Sequence, residues 1–488
     1  MLFNSLSFLI FFPLVCFVYF VIPARIRYLW LLGASYYFYM CWNARYALLM
    51  ALSTVITYAS GLLIGRFRTK ARLWVALSFG SNLAILFFFK YANFLLESLQ
   101  KAAAMVHVQI NLPAFDILLP VGISFYTFQA LSYTMDVYRR EIEPEKNLLK
   151  YALFVSFFPQ LVAGPIERSK NLLEQVAVPH RFDYDRAAAG LQMMLWGFME
   201  KLILADRAAI FVDAVYGDWQ NQSGAMLLLA TILFAFQIYC DFGGYSHIAI
   251  GAAQVLGIRL MDNFRQPYFA ASVQEFWRRW HISLSTWFRD YLYIPLGGNR
   301  KGKLRRDLNL MITFLVSGLW HGADWHYVAW GGLNGAFQVI GGRTRALRQK
   351  IAGALHIDTK TGSWKLLQKM ITFGLICLTW VFFRADGMSA AFGILGKFVT
   401  DFRFGTLLGG GVCQYGLNMA NLQLLFVAIL VLLAVDYLHE KGVHIRDSLA
   451  RQNTLARWVV CWAALLCVLV FGIWGGEYDA SAFIYFQF

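Results

Sequence analysis

The sequence predicts an all-α polytopic membrane protein, with about eleven transmembrane helices and two or three re-entrant or interfacial pieces. Three observations carry that reading. Of 488 residues, 59% are hydrophobic and only 15% are charged, against roughly 45–50% and about 25% in soluble chains. Mean hydropathy is +0.52. The 43 basic residues exceed the 28 acidic ones, for a net charge of +15. They fall in short clusters between apolar runs, which is the positive-inside pattern of cytoplasmic loops. In a soluble chain that surplus would suggest nucleic acid. Here topology accounts for it, and anionic lipid heads or an anionic substrate are further uses. The composition excludes disorder, a coiled coil, a collagen-like fibre and a disulfide-rich module. One continuous membrane domain over residues 1–488 is expected.

The elements follow in order. Leu6 to Ile22 lacks the basic flank and cleavage site of a signal peptide. It leads to Arg25 and Arg27, so it reads as a retained span with its N-terminus outside. Tyr28 to Trp42 goes out, and Tyr46 to Gly65 returns to Arg66, Arg68, Lys70 and Arg72. Leu73 to Phe89 goes out to an external segment, Glu97 to Asp116, whose one basic residue is Lys101. Ile117 to Val137 returns to Arg139, Arg140 and Lys146. Five runs therefore obey one orientation.

Leu148 to Ala163 is interrupted by Pro159 and falls short of the roughly 20 residues of a span. It reads as a short or re-entrant piece packed inside protein, where irregular backbone is tolerated. Ala187 to Ala205 follows, then Ala225 to Leu256, long enough for one tilted or broken helix. Residues 261–306 are too rich in Trp, Tyr and Arg to span, and form a cytoplasmic re-entrant or interfacial region. Ser272 and Glu275 make a capping box. A helix from about Val273 to about Asp290 would place Trp277, Trp280, His281, Leu284 and Phe288 near one face, flanked by Arg278 and Arg279. Pro295 to Asn299 ends it, and Arg300, Lys301, Lys303, Arg305 and Arg306 form the densest basic cluster. Leu308 to Trp320, Trp325 to Gly342, Leu366 to Phe383, Leu422 to Leu438 and Trp458 to Trp474 complete the spans. The basic loop from Lys441 to Arg457 places the C-terminus outside.

Ionisable groups at membrane depth are expensive, so each is a functional candidate. His321 lies in Ser317-Gly318-Leu319-Trp320-His321-Gly322-Ala323-Asp324-Trp325. Two glycines permit close backbone approach, and Trp320 and Trp325 could wall a tunnel. An imidazole there can take a proton from a hydroxyl near neutral pH. The plainer reading is a core histidine bonded to a carbonyl. His281, in Trp277-Arg278-Arg279-Trp280-His281, is either functional or part of an interfacial helix with snorkelling arginines. Spacing alone does not show that the two histidines meet. The other histidines, His247 among them, read as structural or loop residues. Asp241 pairs with a buried Arg, orients a histidine, or marks a helix break satisfied locally. The last is favoured. The seven scattered Cys, with no C-x-x-C, argue against a disulfide framework or a zinc site, and no metal is expected. Nucleotide-binding and G-x-S-x-G motifs are absent, which disfavours ATP-driven transport and soluble-type serine hydrolysis.

Several stretches together resemble a known family. They are Leu119 to Gln129 (LPVGISFYTFQ), Phe158 to Ile166 (FPQLVAGPI), Trp277 to Ser285, Tyr291 to Gly298 (YLYIPLGG), Ser317 to Trp325, and the terminal Phe483-Ile484-Tyr485-Phe486-Gln487-Phe488. They are similar to the membrane-bound O-acyltransferase (MBOAT) family, in its bacterial alginate O-acetyltransferase-like branch. The resemblance implies a fold around a central tunnel, with His321 catalytic and His281 the second important residue. Trp277, Arg278, Trp280, Ser317, Trp320, Trp325 and Asp241 are the accompanying site candidates. It implies transfer of an acetyl group from a cytoplasmic thioester, acetyl-CoA, to an external hydroxyl. No bound cofactor is expected. An exported SGNH-hydrolase-like transferase is the implied partner, with a cell-surface polysaccharide (alginate, cellulose or peptidoglycan) as final acceptor, across a bacterial inner membrane. Relatives of a more distant branch handle D-alanine; Ala163-Gly164-Pro165-Ile166 resembles the acetyl branch more. His247 departs from the acid that relatives commonly carry there. The alternative function is a transporter of an acylated carrier or glycan without covalent chemistry, using broken helices at Gly164-Pro165 and Gly243-Gly244. The aromatic tail is either a headgroup-level anchor or a docking element for the exported partner.

The orientation is testable. In a background without reactive native Cys, cysteines at Lys303 and Arg345 should be shielded from an impermeant external thiol reagent, and one at Gln109 should label. The reverse pattern would overturn the positive-inside assignment.

Overall fold

A computed structural model of the chain describes residues 1–110, 112–116, 119–408, 410–474 and 484. The described residues are helical, with no strand among them. Apart from Ile484, the aromatic tail lies outside the described residues. Among the described residues, six helices are long and apolar enough to cross a membrane: Ala44–Arg66, Arg68–Met105, Gly224–Val255, Gly362–Arg384, Met419–Glu440 and Thr454–Phe471. Each falls on an expected run. The chain divides into two compact units, 1–194 with 248–261, and 195–247 with 262–474 among the described residues.

In the first unit, small and polar side chains let helices approach and then bond across the contact, the usual adhesive inside a membrane, where apolar surface alone gives no preference for protein over lipid. Ser53 Oγ lies 2.5 Å from Asn82 Oδ1, Ser78 Oγ 3.0 Å from Thr134 Oγ1, and Tyr151 donates its hydroxyl to Thr57 Oγ1 at 2.8 Å. Gly61 leaves room for the Tyr133 ring, which a Cβ would meet at 2.6 Å. The expected short element is present as Leu148–Ser156 followed by Phe158–Leu161. Asn147 caps the first, accepting from the amides of Leu149 and Lys150.

Two expectations are corrected along the chain. The run expected from Leu73 to Phe89 does not end there: a π-helical turn at Phe87–Tyr91 carries the helix on through Ala92–Met105, into the segment Glu97 to Asp116. The Asp241 region is not a helix break. Gly224–Val255 is one helix of 32 residues, and 83% of its apolar window is buried. Gly243 and Gly244 both lie within this continuous helix, and Gly244 serves packing: a Cβ there would lie 2.6 Å from the Gly197 carbonyl oxygen. That removes one of the broken helices on which the transporter reading drew.

The second unit is organised by a helical hairpin, Gly302–His321 and Trp325–Arg343. Asp324 caps the second helix, accepting from the His326 amide. A Cβ on Gly318 would sit 2.2 Å from the Tyr327 carbonyl oxygen, and one on Gly331 would sit 2.2 Å from the Phe314 carbonyl oxygen. The two backbones therefore touch, as they do where small residues line membrane-helix contacts. Gly318→Ala should lower stability by about 1–3 kcal/mol through overpacking, read as the unfolding midpoint of the purified protein in detergent. Gly353→Ala, at a helical position with open space around it, should be neutral or slightly stabilising. Equal midpoints for both variants would refute the backbone contact.

Candidate active site

The re-entrant region starts as its sequence suggests. Ser272 Oγ accepts from the Glu275 amide at 3.2 Å, while the Glu275 carboxylate reaches back to the Ala271 amide at 3.0 Å. The expected single helix to Asp290 is not formed. Val273–Arg279 ends at Trp280, and Ile282–Phe288 begins after His281. His281 has φ 43° and ψ 54°, a left-handed conformation that most L-residues avoid. The break turns the chain at the candidate histidine, so Trp277 and His281 do not lie on a continuous helical face.

What holds this turn is Asn263, which sequence reasoning missed. Its backbone carbonyl accepts from the Ile282 amide at 2.9 Å. Its side-chain oxygen accepts from Ser283 Oγ at 2.6 Å, and its amide nitrogen donates to Ser246 Oγ at 3.0 Å. The Arg265 amide donates to the Arg279 carbonyl at 2.9 Å on the other side of the break. Farther out, Arg279 is bound by Glu275 and Glu440, each at 2.6 Å. The helix pair is thus tied down at both ends of the His281 turn.

The structure brings the two histidines together. Their ring centroids are 6.4 Å apart, and both side chains are buried, His281 at 0% and His321 at 3% exposure. Aromatic rings wall them. Phe242 meets His281 at 4.6 Å between centroids, and Trp320 lies 6.1 Å from it. Trp320, Trp330 and Phe383 lie 4.9, 4.9 and 5.4 Å from His321. Burial pushes the His281 imidazole pKa down, to about 3, so this ring is neutral at physiological pH. Two imidazoles in a buried aromatic enclosure can accept and return a proton with little competition from solvent.

The remaining candidates divide. Trp277 and Trp280 are buried. Trp277 Nε1 donates to Asn334 Oδ1 at 3.1 Å, and the Trp280 ring packs on Phe264, Phe276 and Trp380. Ser317 is buried one turn before His321 on the same helix. Trp325 is not part of the enclosed wall, because it opens the next helix with 54% of its surface exposed. Arg278 is exposed and points away from the buried aromatic face of its helix. Asp241 does not mark a helix break: its carboxylate binds the Lys201 ammonium, which also contacts Asp206 at 2.8 Å. Lys201 sits on a π-helical turn, Met199–Ala205, a distortion that redirects side chains and is common at functional sites. His247 is also engaged, its Nδ1 2.6 Å from Glu200 Oε2. His326 matches the structural reading, bonded to the Phe382 carbonyl at 2.8 Å. Trp330, Trp380 and Phe383 escaped the sequence reading, since aromatic residues inside apolar runs look like ordinary core or belt.

Residues 145–383 match the family described as "MBOAT, membrane-bound O-acyltransferase family". The chain is 40% identical over 440 residues to the "Probable alginate O-acetylase AlgI" of Pseudomonas putida, covering 88% of this chain and 85% of that protein. The chain belongs to the membrane-bound O-acyltransferase family. It is also similar to the peptidoglycan O-acetyltransferase of Helicobacter pylori, 35% identical with 81% of this chain and 79% of that protein covered. The teichoic acid D-alanyltransferase of Streptococcus thermophilus is 30% identical over 54% of this chain and 68% of that protein. This O-acyltransferase is a multi-pass membrane protein, and the matched segment contains Asn263, His281 and His321. In this MBOAT chain Asn263→Ala should leave Ser246 and Ser283 without their bonds and cost about 1–3 kcal/mol. An unchanged unfolding midpoint in detergent would show that the His281 turn does not depend on Asn263.

Proposed function

We propose that this MBOAT chain takes an acetyl group from a cytoplasmic thioester, acetyl-CoA, and delivers it to a hydroxyl acceptor reached from the opposite face of a bacterial inner membrane. The observation that carries the reading is the pairing of His281 and His321, 6.4 Å apart inside one aromatic enclosure. A thioester is already activated, so the protein has to position it, exclude water and manage one proton. His321 takes the proton from the acceptor hydroxyl. His281, neutral and buried, holds the thioester or serves as the second proton partner. The exposed Arg278 and the basic cluster Arg300, Lys301, Lys303, Arg305 and Arg306 attract the phosphates of CoA by charge. The names of the relatives, alginate O-acetylase and peptidoglycan O-acetyltransferase, favour acetyl as the group and a cell-surface polysaccharide as the final acceptor. An exported SGNH-hydrolase-like transferase would carry the group the last step.

The test is covalent. Purified protein with labelled acetyl-CoA and a deacetylated polysaccharide as hydroxyl acceptor should release free CoA and transfer label to the acceptor, whereas a carrier without chemistry leaves the thioester intact. His321→Ala should abolish CoA release, and polymer acetylation in cells, with normal protein abundance. His281→Asn keeps a residue that tolerates a left-handed backbone and should be impaired on the order of 10²-fold or more, the scale of an acid–base group. Near-normal turnover by well-expressed variants would remove both histidines from the chemistry.

A further inference from the structure

We infer that the indole N–H of Trp330 is the donor that stabilises the oxyanion formed during acyl transfer. The inference deepens the acetyl-transfer reading and rests on it. Trp330 is 1% exposed. Its Nε1 is fully buried and finds no hydrogen-bond acceptor among the described residues. A buried donor without an acceptor is a standing cost, because water bonded it in the unfolded chain. Native structures keep few of them, and a catalytic role is one reason to keep one. Trp277 Nε1 on the same wall has Asn334 Oδ1; Trp380 Nε1 shares the lack of an acceptor, and Trp330 differs from it in packing directly on the His321 ring. The same Asn334 donates to the Trp330 carbonyl at 2.9 Å, which fixes the helix beneath the ring.

The placement suits the chemistry. The Trp330 ring stands nearly perpendicular to the His321 ring, 82° between planes and 4.9 Å between centroids. It stacks on Trp380 at 6.0 Å and 19°, and Phe383 and Trp277 close in at 5.2 and 5.5 Å. The ring has little freedom to turn away. Trp330 precedes Gly331, and His321 lies three residues past Gly318. The backbone contact at those two glycines therefore sets the distance between base and donor before any substrate arrives. A donor fixed in advance, in a buried site, is what stabilises developing negative charge.

The step balances. The acceptor oxygen attacks the thioester carbonyl carbon and its proton passes to the His321 imidazole. The C=O π pair moves to oxygen, and that oxyanion accepts the Trp330 N–H. Collapse re-forms C=O, breaks the C–S bond and releases CoA as the thiol, with the proton returned from His321. Before attack the same N–H polarises the thioester carbonyl.

The experiment is Trp330→Phe in the purified full-length protein, with acetyl-CoA and a deacetylated polysaccharide as the hydroxyl acceptor, and free CoA as the readout. Phe keeps a ring in the stack and deletes the N–H. The kcat for CoA release should fall on the order of 10²-fold, with KM for acetyl-CoA within about twofold. The unfolding midpoint should change little, because the loss of an unsatisfied donor offsets the cavity that the smaller ring leaves. A parallel fall in kcat and in unfolding midpoint would mean Trp330 is packing only, and wild-type kcat in Trp330→Phe would overturn the assignment while leaving the acetyl-transfer reading intact. Failure of the unmodified protein to release CoA would overturn the acetyl-transfer reading and this inference with it. Trp330→Tyr, whose hydroxyl donates from a different point on the ring, should recover less than a tenth of the lost rate; full recovery by Tyr would argue for polarity rather than a placed donor.

Discussion

Two helices that meet backbone to backbone, with no side chain between them, set the geometry of the site. At Gly318 and Gly331 the added volume of one methyl group would run into a carbonyl oxygen at 2.2 Å. That contact fixes the hairpin Gly302–His321 and Trp325–Arg343 as one rigid piece, and His321 and Trp330 ride on it. The aromatic packing around them follows, because Trp277, Trp380 and Phe383 fill the space the hairpin defines. Trp277 joins the helix before the His281 turn to this piece through Asn334, while Asn263 ties the turn itself to Ser246 on the Gly224–Val255 helix. Precision in the site is thus inherited from the absence of side-chain volume elsewhere.

The second unit also keeps ionised groups where desolvation is costly. Lys201 answers two carboxylates, Asp206 and Asp241, and Glu200 answers His247. Removing one member of such a cluster leaves a buried charge uncompensated, which costs more than the cluster contributes when intact. These residues sit along a π-helical turn and the long Gly224–Val255 helix, the same helix that presents Phe242 to His281. Charge pairing and the aromatic wall are therefore built on one element.

Much of this was legible in the sequence, and the reason is periodicity and punctuation. The membrane class, the six long apolar helices, the short interrupted piece after Asn147 and the Ser272 cap all follow from runs, breakers and capping residues. His321 stood out because an imidazole between two glycines in an apolar stretch has few structural excuses. Other features depend on tertiary partners that local patterns do not name. The break at Trp280–His281 is imposed by Asn263 and Ser246, residues with no signature of their own. Asp241 found a lysine 40 positions earlier on a π-helical turn that no spacing rule anticipates. Trp325 sat near His321 in sequence yet opens the next helix on an exposed face, whereas Trp330, five residues later, joins Trp320 against the imidazole.

The left-handed backbone at His281 also acts as a filter on what evolution can try there. Of the residues with chemistry to offer, only a few short polar side chains and glycine enter that region without a steric penalty. Lysine, glutamate or a β-branched residue at 281 would have to overcome strain before contributing anything to a reaction. A lineage exploring new acyl groups through this scaffold can freely vary the surrounding rings. At this one position its chemical alphabet is reduced by backbone geometry to a handful of letters.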